Sequence, residues 1–204
     1  MVLPRKGFTL ILSGPSGAGK SSICRALLAR DSNLGLCVTT TTRPRRTGEV
    51  EGRDRFFLSE KEFRNGIQRE IFAEWAEVHG FLYGTTWESL RSQQEAHDVV
   101  ILDVDVQGAA EWKRRLKEDC VSVFVAPPSM EALEQRLNDR GTDAEVDLGK
   151  RLESARKEMT HYKAYDYLIV NDRIEAAVEC MEAILVSERG RSFRYEGDLL
   201  EQLK

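Results

Sequence analysis

The sequence has no apolar run that approaches the ~20 residues a helix needs to cross a bilayer. Its first apolar segment, GFTLILSG, is too short to hold both the apolar region and the cleavage site of a signal peptide. These absences exclude the usual signals for membrane insertion and export. We therefore expect a cytoplasmic protein that has no membrane partner.

Cysteine and histidine are scarce, and neither forms a cluster with metal-ligand spacing. The four cysteines are scattered along the chain, at Cys24, Cys37, Cys120 and Cys180. The three histidines are equally far apart, at His79, His97 and His161. Because there is no CxxC pair, we expect buried free thiols in a reducing compartment and no zinc site.

An excess of positive charge is also missing. The chain has 30 lysines and arginines against 34 acidic residues, a net charge of −4, which argues against a general nucleic-acid partner. Its 204 residues, 41% of them hydrophobic, are enough for one globular domain with a real core. Any anion site must therefore be local. The sequence is compatible with a monomer or a homodimer.

Short apolar runs alternate with helical patterns. The runs predict buried strands within four segments: Phe8–Gly14, Asp98–Gly108, Val121–Pro128 and Tyr167–Asp172. Helical spacing follows the first run, in SSICRALLAR, and the last, where a patterned face stops at Gly190. This alternation predicts an α/β fold with a mainly parallel sheet flanked by helices.

Two segments interrupt that rhythm, so we predict a core made of residues 1–37, 97–128 and 166–204. The insertion, 38–96, contains a capping-box pattern at Ser59 and Glu62, and its IFAEWAEVHGFLYGTT stretch suggests a small separate sheet. The second segment, 129–165, reads as two helices around a polar turn. An apolar stripe on the second of these helices favours packing: Leu148, Leu152, Ala155 and Met159.

The segment GPSGAGKS (Gly14–Ser21) fits the pattern G-x-x-x-x-G-K-[ST], which arises by chance about once in a hundred sequences of this length. It follows a predicted strand and opens a predicted helix, the setting that a phosphate-binding loop requires. Glycines allow successive N–H groups to turn toward phosphate oxygens, and the helix N-terminus adds partial positive charge. Lys20 is then expected on the β- and γ-phosphates, and the Ser21 hydroxyl on Mg²⁺.

A second apolar run, VVILDVD, ends in acids at the same edge of the predicted sheet. Asp103 fits a Walker-B-type role, in which a carboxylate holds Mg²⁺ directly or through water. Asp105 lies on the same side two residues later and can serve the metal or the acceptor. A nucleoside triphosphate is therefore the predicted ligand.

The segment TTTTRPRRTGEVEGRDR (Thr39–Arg55) concentrates five arginines where no apolar periodicity predicts a helix or a buried strand. Such a loop suits an anionic ligand. The sequence contains no N-K-x-D of a GTPase and no LSGGQ of an ABC protein, so a small-molecule kinase is the remaining class. Such an enzyme needs an acceptor site, and these arginines are its candidates.

Taken in order, the segments ILSGPSGAGKSS, TTTTRPRRTGE, EWAEVHGFLYGTT, ILDVDVQGA, VFVAPPS, RLNDRGTD and IVND resemble guanylate kinases over nearly the whole length. The resemblance implies a P-loop kinase fold, in which the insertion 38–96 binds GMP and the segment 129–165 is a mobile helical lid. It also implies transfer of the γ-phosphate of ATP to GMP, with Mg²⁺.

The resemblance carries roles to individual residues. On the acceptor side it assigns the GMP phosphate to Arg43, Arg46 and Tyr83, and guanine to Glu74, with hydroxyls at Thr39 and Thr85. Glu74 can accept from guanine N1–H and the 2-amino group together, a pair of donors that adenine lacks. Asp105 joins this acceptor group.

On the donor side the resemblance implies three lid arginines that close over ATP, Arg136, Arg140 and Arg151, and places Asn171 at adenine. The ATP site then comprises Asn171 and the loop residues Gly14, Pro15, Ser16, Gly17, Ala18, Gly19, Lys20 and Ser21. The metal ligands are Ser21 and Asp103.

One position departs from the family pattern. Guanylate kinases usually read G-x-D-Y after the arginine loop, and the tyrosine hydroxyl binds the acceptor phosphate. Here the segment is GRDRFF, with Arg55 in that place. We expect Arg55 to replace the tyrosine, and we expect Arg45 and Arg53 to be solvated, balanced in part by the acids Glu49, Glu51 and Asp54.

Two alternatives stay open from the sequence alone. A related P-loop kinase could act on a phosphorylated sugar, but such a substrate needs no base-reading carboxylate at position 74. A non-catalytic guanylate-kinase-like module could bind a phosphorylated peptide. Such modules commonly lose the phosphate loop or the lid charges, both of which this sequence keeps.

Overall fold

The structure is a computed structural model that describes residues 4–78, 80–139, 148–197 and 200. Its strands are β1 (Phe8–Ser13), β2 (Leu34–Leu36), β3 (Thr40–Thr41), β4 (Phe56–Phe57), β5 (Phe72–Val78), β6 (Phe81–Thr86), β7 (Val99–Asp103), β8 (Cys120–Ala126) and β9 (Tyr167–Val170). Its helices are α1 (Lys20–Arg30), α2 (Glu60–Gln68), α3 (Trp87–Ala96), α4 (Val106–Leu116), α5 (Met130–Asp139), α6 (Leu148–Met159) and α7 (Ile174–Arg189). Within those ranges, no helix combines the length and the apolarity needed to span a membrane.

The central sheet is parallel, in the order β2-β7-β1-β8-β9. The predicted α/β class and all four predicted strands are confirmed. Both faces of the sheet are covered, which is why its strands are continuous apolar runs. Leu10 and Leu12 pack with α1 and α7 on one face, whereas Ile11, between them, packs with Trp112 of α4 on the other.

The edge strand β2 is not apparent in the sequence. Its three residues, LGL, are too few for a pattern, and the central glycine weakens β propensity. A Cβ on Gly35 would lie 2.6 Å from Gln93 Oε1 of α3 and 2.6 Å from Nδ1 of His97, which follows that helix, so a larger residue here would force these side chains to shift. The predicted end of α7 is confirmed, since Gly190 follows its last residue.

The insertion forms the predicted second sheet, in the order β4-β3-β6-β5. The expectation that no buried strand lies within Thr39–Arg55 is wrong for Thr40 and Thr41, which pair with β4 and β6 as β3 and are buried. A small core holds α2 against this sheet, with Phe63 stacked on Phe72. The predicted capping box of α2 is confirmed, because Ser59 and Glu62 each accept from the other's backbone N–H.

Helices α5 and α6 occupy the predicted lid segment and pack on each other through Leu133, Leu137 and Ala155. Leu148 and Leu152 of the predicted stripe border this cluster, so the packing interpretation is confirmed for them. Arg140, the third predicted lid arginine, lies outside the described residues, as does His79. The prediction of buried thiols holds for Cys24, Cys37 and Cys120 but is wrong for the exposed Cys180.

Candidate active site

The residues Gly14–Gly19 join β1 to α1 as a loop whose conformation depends on glycine, and Lys20 and Ser21 are the first two residues of the helix. Gly14, Gly17 and Gly19 have φ of 132°, 89° and 97°, which side chains other than glycine rarely adopt. A Cβ on Gly14 would also lie 2.1 Å from the carbonyl oxygen of Val125. The glycines therefore fix a loop that opens onto the N-terminus of α1, where backbone N–H groups and the helix dipole favour phosphate.

Lys20 is the first residue of α1, and the loop holds its side chain. Its Nζ donates to the carbonyl oxygens of Gly14 at 2.5 Å and Pro15 at 3.2 Å. A phosphate in the loop would meet an ammonium group already placed at its edge. Because of these two hydrogen bonds, the position of the ammonium group depends on the conformation of the loop.

Ser21 and Asp103 meet at the carboxyl end of the sheet. Leu12 of β1 is paired with Asp103 of β7, which brings the strand-end carboxylate beside the loop. The Ser21 hydroxyl donates to Asp103 Oδ2 at 3.0 Å. Among the described residues, no group of three or more His, Cys, Asp or Glu could hold a metal. A hydroxyl and a single carboxylate fit Mg²⁺, which usually keeps waters and substrate phosphate oxygens as its other ligands.

The acceptor arginines line the same cleft as the phosphate loop, a space of about 1120 Å³. Arg43 is 6% exposed and donates to Glu49 Oε1 at 2.7 Å and to the carbonyl of Pro44 at 2.6 Å. Arg46 also lines the cleft, and its backbone N–H donates to Glu49 Oε2 at 2.8 Å. Burial alone would lower the pKa of Arg43, but the bond to Glu49 and the nearby Tyr83 outweigh it, so this pKa is raised.

Glu49 is the residue that the sequence interpretation misplaced. It was expected to balance solvated arginines, yet it anchors the buried Arg43, and its pKa is lowered because hydrogen bonds from Arg43 and Arg46 N–H outweigh burial. No periodic pattern links positions 43 and 49 in a loop, so the sequence carried no signal for the pair. The expectation for Arg45 and Arg53 is confirmed, since both are exposed and Arg53 pairs with Asp54 at 2.8 Å.

Arg55 points into the cleft rather than to solvent. The loop folds back so that Phe56 N–H donates to Thr39 O at 3.0 Å, which places Arg55 at the entrance to β4. Its guanidinium donates to the Thr39 hydroxyl, and its Nη2 lies 3.7 Å from Asp103 Oδ2. The arginine thus lies between the acceptor loop and the proposed metal ligand.

A buried carboxyl also lines this cleft. Glu74 of β5 is 7% exposed and accepts a 2.7 Å hydrogen bond from Thr85 of β6. Burial and the charge of Asp105 raise the pKa of Glu74 to about 7, although the Thr85 bond acts in the opposite direction. A Cβ on Gly108 would lie 3.0 Å from Glu74 Oε2, so the glycine of α4 leaves room for the carboxyl.

Asp105 is not on the strand that carries Asp103. Because β7 ends at Asp103, the expected alternation of side chains does not apply. Instead Asp105 caps α4, accepting from Gly108 N–H at 2.9 Å, and lines the cleft on the Glu74 side. Of its two predicted uses, this position favours the acceptor over the metal.

Asn171 and Arg136 lie on the far side of the phosphate loop, around a smaller hollow. Asn171 donates from Nδ2 to Ala18 O at 2.7 Å, and its buried Oδ1 has no hydrogen-bond partner among the described residues. Arg136 donates to the carbonyls of Asn171 at 2.9 Å and Asp172 at 3.2 Å. The orphan acceptor suits a donor group such as an exocyclic amine.

Arg151 reaches the phosphate loop from α6. It is 8% exposed, and its Nη2 donates to Ser16 Oγ at 3.2 Å. It also lines the main cleft. The structure thus brings Arg151 to the loop, whereas Arg136 lies at the hollow beside Asn171.

Comparison with known proteins gives one consistent family. A sequence model described as Guanylate kinase matches residues 6–188. A guanylate kinase of Caldanaerobacter subterraneus subsp. tengcongensis is 41% identical over 191 residues, 94% of this chain and 92% of that protein. A guanylate kinase of Agrobacterium fabrum is 43% identical over 197 residues, 97% of this chain and 90% of that protein.

Solved structures agree with the sequence relatives. The crystal structure of guanylate kinase from Anaplasma phagocytophilum has a TM-score of 0.79 and 34% identity, covering 98% of this chain and 95% of that chain. A shikimate kinase from Acinetobacter baumannii has a TM-score of 0.51 at 14% identity, covering 92% of this chain and 97% of that chain. The second likeness concerns the fold alone.

Proposed function

The chain belongs to the guanylate kinase family and transfers the γ-phosphate of ATP to GMP, and from that premise we propose how its residues divide the reaction. The triphosphate of ATP binds on Gly14–Ser21, and GMP binds with its base at Glu74. One observation supports this division above all: a phosphate loop and a buried, hydrogen-bonded carboxyl line a single cleft. A sugar-phosphate kinase would not need the base-reading carboxyl, and a phosphopeptide-binding module would not need the phosphate loop.

Glu74 reads guanine. In its ionised form it accepts from N1–H and the 2-amino group, while Thr85 fixes the carboxyl by donating to Oε1. Asp105 lies on the same side and is available to the same edge of the base. Adenine presents no donor at its N1 and has no 2-amino group, so it would leave the buried carboxylate with the bond from Thr85 and none from the base.

The GMP phosphate is held by Arg43, Arg46 and Arg55, with Tyr83 and the hydroxyl of Thr39 beside them. Guanidinium groups make bidentate contacts with phosphate that an ammonium group cannot make. Glu49 keeps Arg43 in place before GMP arrives, which lowers the cost of ordering a long side chain at the moment of binding.

Ser21 and Asp103 are the residues that would hold Mg²⁺. The metal would neutralise charge on the β- and γ-phosphates when ATP is bound. The Ser21 hydroxyl and the Asp103 carboxylate are already in contact at 3.0 Å and face the loop that receives those phosphates.

The acceptor needs no general base. The second pKa of a phosphomonoester is near ~6, so GMP is mostly dianionic at neutral pH. The obstacle is charge: two unit charges ~4 Å apart repel by ~4 kcal/mol at an effective dielectric constant of ~20. Lys20 offsets this repulsion on the donor, Arg43 and Arg46 on the acceptor, and Arg151 on the transferred group. Catalysis is then positioning and electrostatic stabilisation.

The helical segment 129–165 covers ATP, and the insertion 38–96 carries GMP. Arg151 reaches the phosphates, and Arg140 is proposed to do so from outside the described residues. Arg136 supports the adenine end by holding the backbone at Asn171, whose free Oδ1 accepts from the adenine amine. Covering the site also keeps water from the γ-phosphate.

The protein acts in the cytoplasm in purine nucleotide metabolism, recycling GMP to GDP. A coupled ADP-release assay tests the substrate, with GMP, AMP and ribose 5-phosphate compared at saturating Mg·ATP. We expect kcat/KM for GMP to exceed that for AMP by about 10³-fold or more. Turnover of ribose 5-phosphate that matched or exceeded that of GMP would overturn the proposal.

A further inference from the structure

Arg55 shares an oxygen atom with the proposed metal site. Asp103 Oδ2 accepts the hydroxyl of Ser21 at 3.0 Å and lies 3.7 Å from Nη2 of Arg55. Both side chains are mostly shielded from water, with 21% of Arg55 and 12% of Asp103 exposed. Screening of the pair is therefore weaker than at an open surface.

A metal at this site would compete with Arg55 for that oxygen. A metal bound by Ser21 and Asp103 would bring two positive charges to the carboxylate that Arg55 now neutralises. Because like charges repel, a metal on Asp103 would weaken the ion pair between Asp103 and Arg55. The other partner of Arg55, the hydroxyl of Thr39, belongs to the acceptor side of the cleft.

We infer that Arg55 couples the two substrate sites: it pairs with Asp103 until metal-bound nucleotide takes that carboxylate, and it then binds the acceptor phosphate. This inference rests on the proposed function, because it assumes GMP phosphate near Thr39 and metal at Asp103. Binding of Mg·nucleotide releases a phosphate ligand, and binding of GMP exposes a metal ligand. Each substrate therefore raises the affinity for the other.

The tyrosine usual at this position cannot act in this way. A phenol hydroxyl can bind phosphate, but it is uncharged at neutral pH and forms no ion pair with Asp103. Arg55→Tyr should accordingly lose the coupling between the two substrate sites. The coupling is thus a property of this chain's departure from the family pattern.

The first test measures GMP binding by calorimetry in EDTA, with no nucleotide and no metal. Asp103→Asn should bind GMP about 5- to 20-fold more tightly than wild type, because Arg55 is no longer held away from the phosphate. Removing a negative charge also favours an anion in general, so the same change is made in the Arg55→Tyr background. There the gain should be smaller by about threefold or more. Equal gains in both backgrounds would overturn the inference.

The second test needs no change at Asp103. GMP affinity is measured with and without a saturating, non-transferable Mg·ATP analogue, in wild type, in Arg55→Tyr and in Arg53→Tyr as the matched control. For each protein the ratio of GMP affinity with the analogue to GMP affinity without it is compared. This ratio should be about fivefold or more larger in wild type and in Arg53→Tyr than in Arg55→Tyr. The same ratio in all three proteins would overturn the coupling. Failure of wild type to bind GMP at all would instead count against the proposed function.

Discussion

Thr85 donates a 2.7 Å hydrogen bond to Glu74 from the neighbouring strand, and both side chains are buried. The bond stabilises the ionised carboxyl, but burial and the charge of Asp105 outweigh it and raise the pKa to about 7. The ligand-free enzyme thus holds a carboxyl that is half-protonated near neutral pH. The N–H donors of guanine would stabilise the charged form that the empty site disfavours.

The raised pKa predicts a pH-dependent cost in stability. Between the ordinary pKa of 4.5 and the folded-state pKa of about 7, the folded protein holds a proton that the unfolded chain releases. The free energy of unfolding contributed by Glu74 is therefore fully present below pH 4.5 and falls as the pH rises through 7, by about 3 kcal/mol in total. Glu74→Gln should be more stable than wild type at pH 8, and this advantage should shrink toward pH 5.

Denaturant unfolding of both proteins at pH 5 and pH 8, without ligand, checks this expectation. Glutamine can still accept the hydrogen bond of Thr85, so the variant changes the charge and little else. A difference in unfolding free energy that is the same at both pH values would mean that Glu74 does not titrate in this range.

Glu74→Gln should also lose selectivity for guanine. The amide offers one acceptor where the carboxylate offers two, so kcat/KM for GMP should fall sharply and the ratio of GMP to AMP should narrow. Pockets that hydrogen-bond a substrate N–H reject an analogue lacking it by as much as ~10⁴-fold. Steady-state kinetics with both nucleotides measure the ratio, and an unchanged ratio would remove Glu74 from the base site.

The sequence predicted the elements whose signal is local. The central strands are unbroken apolar runs such as Phe8–Ser13, and the loop Gly14–Ser21 carries its chemistry in one motif. The short strands β2, β3 and β4 were not predicted, because each has only two or three residues. They form by pairing with neighbouring strands and have no sequence pattern of their own.

The site was predictable only in part, for a related reason. Glu74 was assigned through the family resemblance, since a carboxylate in AEWAE has no distinguishing pattern by itself. The partnerships of Arg43 with Glu49 and of Arg55 with Asp103 depend on how a loop without periodicity folds back over the sheet. Tertiary contacts of this kind produce no recognisable spacing of residues in the sequence.

Lys20→Ala should nearly abolish turnover while GMP still binds. The ammonium group belongs to the donor loop, where its present partners are the carbonyls of Gly14 and Pro15. Turnover by the coupled assay and GMP affinity by calorimetry separate the two effects, with thermal unfolding as a check on the fold. Steady-state rates within a few-fold of wild type would contradict the assignment of the phosphate loop.

Arg151→Ala should lower kcat and leave the affinity for GMP unchanged. Arg151 crosses from α6 to the phosphate loop at Ser16, and the proposed function therefore assigns its charge to the transferred phosphate rather than to the acceptor. The exposed neighbour Lys150 provides the control. Lys150→Ala removes the same charge from the same helix, but at a side chain that is exposed to solvent. Equal effects of the two substitutions on kcat would show that Arg151 acts only through long-range electrostatics and makes no specific contact with the transferred phosphate.

Arg43→Ala should weaken use of GMP far more than Arg45→Ala, although the two arginines are two positions apart. Arg43 is 6% exposed and held in the cleft by Glu49, whereas Arg45 is exposed. Removing a buried charged partner of a bound phosphate costs about 2–5 kcal/mol, and removing an exposed charge costs well under ~1 kcal/mol. The first change should therefore lower kcat/KM for GMP by about 30-fold or more, with ATP affinity little changed. Because Arg43→Ala also leaves Glu49 in the cleft without its ion-pair partner, Arg43→Ala/Glu49→Gln is the necessary companion. The double variant should recover only a minor part of the loss if the phosphate contact dominates. Recovery to near wild-type kcat/KM would mean that Arg43 serves mainly to neutralise Glu49, and its role on the GMP phosphate would be withdrawn.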